Sequence, residues 1–513
     1  MNKRHMEIAV SRLLYVALFV IIQVGLLVTV FGFFKKLIPY FSAVCICISI
    51  IATLHILNSS SNPAYKLAWI IPIFLMPVFG GLAYAMFGTV RASRKTRERS
   101  VRLHEQYLRE MQKIPNAEKE LEESELKDGS MQSHYLHNAS GCQPYNNTQV
   151  TYLPLGEDML ASMKEELRKA KRYIFMEYFI VEEGTMWNSI LEILEQKVAE
   201  GVEVRFMYDD LGCLMTLPRK YAQDLCKKGI KAAAFNPFNT ILSPRFNNRD
   251  HRKICVIDGI VGYTGGCNLA DEYINAIVKH GHWKDTAVCL KGRAVWSLAV
   301  QFLSIYDLAS GLDESYEAYY PKEEELAKIK GPGFVQPYSD IPLDDQQVGE
   351  SAYINMIMRA KKYVYITTPY LIIDSDMTTA LRTAALSGVD VRIITPHVPD
   401  KKFVFMLTRS YYKPLLDAGV KIFEYTPGFI HAKTFVSDDT YAIVGTINLD
   451  YRSLYLHLEC AAWMAGVPAV KDVHDDFLKT ESISMAMNDS NMGRLTWGRK
   501  IFLSILRSLA PLM

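Results

Sequence analysis

The feature that most constrains this 513-residue sequence is an internal repeat. Residues Ala170–Phe175 (AKRYIF) are echoed by Ala360–Tyr365 (AKKYVY), and Gly201–Arg205 (GVEVR) is echoed by Gly388–Arg392 (GVDVR). The members of the two pairs are separated by 190 and 187 residues. A nearly constant separation over this length predicts two long structural halves of one kind.

Each half alternates short runs typical of strands with segments of helical periodicity. In the first half, Tyr173–Ile180 and Val202–Tyr208 have the composition of strands, and Met186–Glu200 has helical spacing. The same order recurs from Tyr353 to Val444. This alternation predicts an α/β fold made of two pseudo-symmetric sandwich halves, with largely parallel strands at the centre of each.

Each half also carries one copy of a five-residue pattern that begins with histidine. A lysine, an aspartate, a glycine and an asparagine follow that histidine after 2, 7, 14 and 17 residues. The members are His251, Lys253, Asp258, Gly265 and Asn268 in the first half, and His431, Lys433, Asp438, Gly445 and Asn448 in the second. Since the chain has only 12 histidines, chance does not account for two matched copies.

The spacing within the pattern suggests what each member does. A histidine and a lysine two positions apart on a strand point to the same face, so they can contact one anionic group together. The aspartate, seven residues after the histidine, would point to the opposite face of a straight strand. Asp258 and Asp438 belong to the catalytic motif, but we expect their role to be structural. Each would pair with a neighbouring lysine or arginine rather than act on the substrate.

Two histidines and two lysines suit the transfer of a phosphodiester group. An unperturbed histidine has a pKa near ~6.5, so one ring can be a neutral nucleophile and the other a proton donor. Lys253 and Lys433, with the amides of Asn268 and Asn448, would surround the phosphoryl oxygens. This chemistry requires no metal and no other cofactor. The sequence argues against a metal site, because His-x-Lys places a cation where a second ligand would stand.

The two motifs resemble the paired HKD motifs of the phospholipase D superfamily, and the likeness covers residues 150–485. Further segments are similar to bacterial cardiolipin synthases: Trp69–Gly88, Asn268–Tyr273, Trp283–Asp285, Thr368–Tyr370, Asn448–Ser453 and Pro511–Met513. One departure is His457, where that family more often has asparagine.

The resemblance implies transfer of a phosphatidyl group from one phosphatidylglycerol to a second, with cardiolipin and glycerol as products. By analogy with the superfamily, His251 is expected to form a phosphatidyl-histidine intermediate, and His431 to act as general acid and base. A carboxylate should fix each ring through its second nitrogen, and Asp285 and Glu459 are the candidates for these His-orienting carboxylates.

Related activities stay open on the motifs alone. In a phosphatidylserine synthase or a hydrolytic phospholipase D, serine or water accepts the phosphatidyl group instead. A nuclease could use the same chemistry, but a formal net charge of +2 argues against nucleic acid as a partner. A catalytically silent membrane scaffold is the remaining alternative, and two intact motifs argue against it.

The N-terminal part predicts membrane attachment. Leu13–Phe34 and Leu67–Val90 contain no charged residue, and Leu37–Leu57 between them is also apolar. Segments of this length can cross the ~30 Å hydrocarbon core of a bilayer. Basic residues are concentrated between Arg91 and Arg102. They predict a multi-pass protein of the cell membrane, with two or three spans and a cytoplasmic catalytic part.

These observations divide the chain into five expected segments. Residues 1–90 form the transmembrane anchor, and residues 91–148 form a basic and charged linker with some helix. Residues 149–330 and 331–485 form the two phospholipase D-like halves, with one HKD motif in each. Residues 486–513 contain an amphipathic helix, which lies at a membrane interface or docks on the protein.

Overall fold

The computed structural model describes residues 38–59, 62–84, 94–237, 248–342, 346–488, 490–491 and 496–512, together with positions 21, 25, 29 and 88. The chain divides into two compact units. The smaller unit comprises Met1–Ser93, Phe238–Asn248 and Lys500–Met513, and the larger unit comprises Arg94–Pro237 and Arg249–Arg499.

The described N-terminal part of the smaller unit consists of helices α1 (Ile38–Leu57), α2 (Pro63–Leu75) and α3 (Pro77–Ala83). Among the described residues, one helical stretch, Pro39–Leu57, is long and apolar enough to cross a membrane. Most of the expected span Leu13–Phe34 lies outside the described residues.

The expected span Leu67–Val90 does not form one continuous helix in its described part. The chain leaves helical geometry at Met76 (φ −141°, ψ 76°), between α2 and α3. Pro77 favours this break, because a proline disfavours helical backbone at the residue before it. At about 1.5 Å per residue, neither α2 nor α3 reaches across the hydrocarbon core of a bilayer.

The larger unit contains two extended β-sheets, one in each half of the repeat. The first has the strand order β1-β8-β6-β5-β2-β3-β4 and the second β19-β13-β12-β10-β15-β16-β18-β9. The first-half strands are β1 (Thr148–Leu153), β2 (Tyr173–Tyr178), β3 (Glu203–Asp209), β4 (Lys231–Phe235), β5 (Ile254–Ile257), β6 (Val261–Gly265), β7 (His282–Lys284) and β8 (Ala287–Gly292). The second-half strands are β9 (Phe334–Asp340), β10 (Tyr363–Thr367), β11 (Leu371–Ile372), β12 (Asp390–Pro396), β13 (Lys421–Tyr425), β14 (Gly428–Ile430), β15 (Thr434–Ser437), β16 (Tyr441–Gly445), β17 (Leu449–Asp450), β18 (Glu459–Ala465) and β19 (Ser484–Ala486).

The two strand orders correspond position by position from β1 and β9 onward, with β19 as an addition. The predicted α/β halves are thus confirmed, but the prediction of largely parallel strands is wrong. Only β2, β3 and β4, and likewise β10, β12 and β13, are mutually parallel, and the remaining neighbours in both sheets are antiparallel. The tight turn at Asp258-Gly259, with φ of 55° and 74°, joins β5 directly to β6 and forces antiparallel pairing.

Helices cover both sheets of the larger unit. They are α4 (Arg94–Met111), α5 (Glu118–Glu123), α6 (Ser130–Ser140), α7 (Gly156–Lys169), α8 (Thr185–Ala199), α9 (Tyr221–Lys227), α10 (Val295–Ser310), α11 (Glu323–Leu326), α12 (Val348–Arg359), α13 (Ser375–Leu386), α14 (Lys402–Ser410), α15 (Tyr412–Leu416), α16 (Tyr451–Tyr455) and α17 (Ala469–Ser482). The last helix, α18 (Trp497–Leu509), exposes Trp497, Ile501, Phe502 and Ile505.

The segment expected to be a charged linker, residues 91–148, has a different character in its described part. Helices α4, α5 and α6 fill most of it, and Met111, Leu121 and Leu136 are completely buried. The indole N–H of Trp296 in α10 donates a 2.8 Å hydrogen bond to the carbonyl of Glu110. The apolar residues of these helices pack into the core of the larger unit, to which the helices belong.

Main-chain pairing connects the two halves. Strand β7 of the first half runs parallel to β14 of the second, with Trp283 opposite Phe429. A single bridge pairs Asp250 with Leu458. The first connection ends immediately before His431 and the second immediately before His251. The halves are therefore joined at the two motif histidines.

Candidate active site

The two motif histidines are buried and lie at corresponding places in the two halves. His251 and His431 are only 6% and 7% exposed. Each precedes a buried strand, β5 or β15, that pairs with a central strand of its own sheet. The apolar residues that follow each histidine build that strand, and the strand fixes the position of the histidine.

Each histidine is held by a carboxylate from the opposite half. The Nδ1 atom of His251 lies 2.9 Å from Oε1 and 3.0 Å from Oε2 of Glu459. The Nδ1 atom of His431 lies 2.6 Å from Oδ2 of Asp285. Both carboxylates are fully buried, at 0% exposure. An ionised carboxylate keeps the ring proton on Nδ1, so the Nε2 atom of a neutral ring is left with a free electron pair.

The main chain repeats this crossed arrangement. The backbone N–H of His251 donates to the carbonyl of Leu458 at 2.9 Å, and that of His431 donates to the carbonyl of Lys284 at 2.7 Å. Leu458 and Lys284 immediately precede Glu459 and Asp285. Each half thus fixes both the backbone and the ring of the other half's histidine.

The two carboxylates have different supports. The hydroxyl groups of Thr446 and Ser453 donate to Glu459. Asp285 accepts a 2.8 Å hydrogen bond from the backbone N–H of Thr286. Burial raises the pKa of Asp285 to about 7, and the nearby Lys433 opposes this rise.

The motif lysines share the buried cluster. Lys253 donates to the carbonyl of His251, and Lys433 donates to the carbonyl of His431. Nζ of Lys433 also lies 2.8 Å from Nδ1 of His431. Burial lowers the pKa of Lys253 to about 8 and that of Lys433 to about 7. Both lysines therefore gain or lose a proton near neutral pH, and a nearby anion would favour their charged form.

The histidines respond to the same surroundings. Burial lowers the pKa of His251 and that of His431 well below the ordinary value, and Lys253 and Lys433 lower both further. His431 also lowers the pKa of His251. Both rings are neutral at pH 7 when no anion is bound, which suits nucleophilic attack by one of them.

Asp258 and Asp438 bind the backbone at the start of a strand. Asp258 accepts hydrogen bonds of 2.8–2.9 Å from the backbone N–H groups of Lys171, Arg172 and Tyr173. Asp438 accepts from the corresponding N–H groups of residues 361–363 at 2.7–3.0 Å. Their partners are thus main-chain amides, and the expected pairing with a lysine or arginine side chain is wrong.

The two motif asparagines differ in their contacts. Oδ1 of Asn268 accepts from the backbone N–H of Ile180 at 3.0 Å, and its amide nitrogen donates to the hydroxyl of Tyr273 at 2.7 Å. The side-chain oxygen of Asn448 is buried without a hydrogen-bond partner. The unpartnered atom of Asn448 is a hydrogen-bond acceptor, so it suits a ligand hydroxyl group rather than a phosphoryl oxygen.

Comparison with known proteins agrees with this geometry. The family described as "Cardiolipin synthase, PLD-like domain" matches residues 163–281 and 353–480, and the family "Phospholipase_D-nuclease N-terminal" matches residues 47–88. A cardiolipin synthase of Halalkalibacterium halodurans is 32% identical over 508 residues, which are 98% of this chain and 100% of that protein. The chain belongs to the cardiolipin synthase family.

Another relative, an uncharacterized protein of Streptococcus mutans, is 44% identical over 465 residues, which are 90% of this chain and 99% of that protein. The crystal structure of phosphatidylserine synthase from Haemophilus influenzae superposes with a TM-score of 0.56 at 16% identity, covering 75% of this chain and 98% of that one. This likeness concerns the fold shared by the two proteins.

In this member of the cardiolipin synthase family, aromatic side chains surround the histidines. The ring centroid of Phe179 lies 4.9 Å from that of His251, and the rings of Tyr273, Trp283 and Phe429 lie 5.6, 5.7 and 5.9 Å from that of His431. No motif in the sequence places these aromatic residues at the site. The family-like segments containing Tyr273 and Trp283 were the available signal for two of them.

His457, a departure from the family pattern in the sequence, also lies beside the site. Its ring centroid lies 5.4 Å from that of His251, and its Nδ1 atom lies 3.6 Å from Oε1 of Glu459. Nε2 of His457 accepts a 3.3 Å hydrogen bond from Nε of Arg452. Burial lowers the pKa of His457 to about 3.

Proposed function

We propose that this chain is a cardiolipin synthase that transfers the phosphatidyl group of one phosphatidylglycerol to the hydroxyl of a second and releases glycerol. The observation that carries the proposal is the pair of crossed histidine–carboxylate contacts, His251 with Glu459 and His431 with Asp285, beside two buried lysines. This arrangement supplies a nucleophile, a proton carrier and two cations to one phosphate.

In the first step, the Nε2 electron pair of His251 attacks the phosphorus atom. The bond from phosphorus to the glycerol oxygen breaks, and the Nε2–H of a protonated His431 is donated to that oxygen. Glu459 stabilises the positive charge that develops on His251 through Nδ1–H. The products of this step are free glycerol and a phosphatidyl-histidine at His251.

In the second step, the hydroxyl of another phosphatidylglycerol attacks the same phosphorus atom. His431, now neutral, takes the hydroxyl proton, and the phosphorus–nitrogen bond to His251 breaks. Cardiolipin leaves, and both histidines return to their starting states. Every proton released in one step is used in the other.

The phosphate itself sets the charge state of the site. Its negative charge raises the pKa of Lys433 and that of His431, both of which burial lowers in the absence of an anion. The ligand thereby favours the protonated His431 that the first step requires. Lys253 and Lys433 stabilise the phosphoryl oxygens in the transition state.

The N-terminal residues anchor this site to its lipid substrate. In the proposed topology, residues 1–90 form a multi-pass anchor in the cell membrane, residues 149–330 and 331–485 carry the catalytic halves on the cytoplasmic side, and α18 lies at the interface with Trp497 and Phe502 in the lipid. The apolar stretch Pro39–Leu57 and the exposed apolar side chains of α18 support this arrangement. A cysteine introduced near residue 320 should react with a membrane-impermeant maleimide only after the cells are opened, and labelling of intact cells would refute the topology.

The activity is tested with detergent-purified protein and phosphatidylglycerol labelled in its terminal glycerol. Wild-type protein should give cardiolipin and labelled free glycerol in equal amounts, and His431→Ala should give neither at a measurable rate. Phosphatidic acid as the lipid product, or turnover that requires serine and a nucleotide-linked lipid, would assign a sister activity of the superfamily instead.

A further inference from the structure

The side chains of His251, His457 and Glu459 converge in the interior of the larger unit. All three are buried, and one donor atom from each lies within 4.8 Å of the other two. Oε1 of Glu459 is 2.9 Å from Nδ1 of His251 and 3.6 Å from Nδ1 of His457. The histidines come from different halves, so the cluster exists only in the folded chain.

The second of these contacts is incomplete as a hydrogen bond. Nδ1 of His457 is buried and has no hydrogen-bond partner, although the Glu459 carboxylate faces it. A separation of 3.6 Å is too long for a hydrogen bond, but it is close to the distance of about 3.3 Å between two ligands of one tetrahedral zinc ion. A buried polar atom without a partner costs stability unless it has another use.

We propose that His251, His457 and Glu459 form an inhibitory zinc site, in which these three residues and one water molecule bind Zn²⁺. Two imidazoles, one carboxylate and a water are a ligand set that suits zinc. The His-x-Lys spacing argues against a metal held within one motif, whereas here His457 and Glu459 of the other half supply the further protein ligands. The regulatory part of this inference rests on the proposed function of His251 as the nucleophile. The metal is an inhibitor here and takes no part in the transfer.

Zinc prevents nucleophilic attack by His251 whether it binds Nδ1 or Nε2. Bound to Nε2, the ion occupies the electron pair that attacks phosphorus. Bound to Nδ1, it displaces the proton from that atom, and a neutral imidazole then carries its proton on Nε2, which again leaves no free electron pair there. Glu459 is also withdrawn from its role of orienting the ring.

Arg452 sets the affinity of the site. Its Nε–H donates to Nε2 of His457, so Nδ1 is the nitrogen available to the metal. When zinc binds Nδ1, the proton of neutral His457 lies on Nε2 and opposes the Arg452 donor. Glutamine at position 452 can accept a hydrogen bond from that proton. Arg452→Gln should therefore bind zinc more tightly than the wild type.

Direct binding is measured on the purified full-length protein by competition with a chromophoric zinc chelator and by the visible absorption of bound Co²⁺. We expect one tetrahedral Co²⁺ spectrum in wild type, and loss of zinc affinity by at least about 100-fold in His457→Asn. The matched control is His397→Asn, since His397 also places Nδ1 2.9 Å from a buried carboxylate, that of Glu424. If His457→Asn and His397→Asn bind zinc equally well, or if the wild-type protein binds none, the proposed zinc site is refuted.

Inhibition is then measured by titrating zinc into the phosphatidylglycerol assay. The concentration that halves the rate should be lowest for Arg452→Gln and should rise for His457→Asn in parallel with the direct affinities, while His397→Asn follows wild type. Zinc binding through His457 without inhibition would overturn the regulatory role. A protein that binds zinc in this way but makes no cardiolipin would retain the site and refute the proposed function.

Discussion

Oδ2 of Asp285 lies 2.6 Å from Nδ1 of His431, although the two residues belong to different halves of the repeat. Glu459 completes the exchange by holding His251. Neither histidine receives its carboxylate from its own sheet. The geometry of the candidate site therefore depends on the packing of one half against the other, and a change in either half is expected to affect the histidine of the other half.

Replacing Asp285 by asparagine tests this contact with little change in volume. The amide can donate a hydrogen bond to Nδ1, and a neutral His431 would then carry its proton on Nε2 and could not accept the proton of the incoming lipid. We expect kcat to fall by roughly 10³–10⁴-fold with an unchanged thermal unfolding temperature. Asp476→Asn is the control, because Asp476 bonds Lys284 and Tyr152 instead of a histidine. A similar loss of kcat in both variants would contradict the assigned role.

The order of the two histidines can be decided with a substrate whose leaving group needs no proton. The p-nitrophenyl ester of phosphatidic acid releases an acidic phenol, so protonation by His431 is dispensable in the first step. His431→Ala should release one equivalent of p-nitrophenol per protein molecule in a rapid burst and then stop. His251→Ala should give no burst. The reverse result would assign the nucleophile to His431.

The pH dependence follows from Lys433, whose pKa burial lowers to about 7. The ammonium ion is present below that pH and is lost above it, so kcat/KM for phosphatidylglycerol should fall as the pH rises through about 7 to 8. A guanidinium group remains charged over this range. In Lys433→Arg, kcat/KM should therefore stay nearly constant as the pH rises through about 7 to 8, even if the maximal rate is lower. The profile is measured with a chelator present. A basic limb that is identical in the two proteins would exclude Lys433 as its cause.

Asp258 should be required for stability rather than for the chemical step. Alanine leaves the N–H groups of Lys171, Arg172 and Tyr173 without their acceptor, which should cost about 1–3 kcal/mol of the free energy of unfolding. Asparagine keeps Oδ1 and tolerates the left-handed backbone at this position, so Asp258→Asn should lower the free energy of unfolding less than Asp258→Ala does. Thermal unfolding followed by tryptophan fluorescence ranks the variants. A large fall in kcat in a variant of unchanged stability would refute this role.

The two-half architecture could be predicted from sequence because each half repeats both its strand-forming segments and its motif. The direction of neighbouring strands could not be inferred from alternation alone, since it depends on the tight turn between β5 and β6. The sequence predicts some helix in residues 91–148, but it does not show that the helices of residues 94–140 pack into the larger unit. Their charged residues dominate the local composition, whereas Met111 and Leu136 are recognised as core residues only when the surface they pack against is known.

The candidate site could likewise be predicted from the sequence only in part. The spacing of His251 and Lys253 is local and predicts that both face one ligand. The partner of each histidine is a tertiary property, so the sequence pointed to Asp285 and Glu459 as carboxylates without saying which ring each one contacts. His457 carried no motif signal, and its significance comes only from the distance to Glu459 in the folded chain.

The separation of 208 residues between His251 and Glu459 has a consequence for synthesis of the chain. In the proposed topology, a ribosome makes the membrane anchor and His251 long before it makes Glu459. His251 would therefore lack the carboxylate that orients its ring while the nascent chain is already beside the lipid of the bilayer. The contacts of the candidate site can form only when nearly the whole protein has been translated.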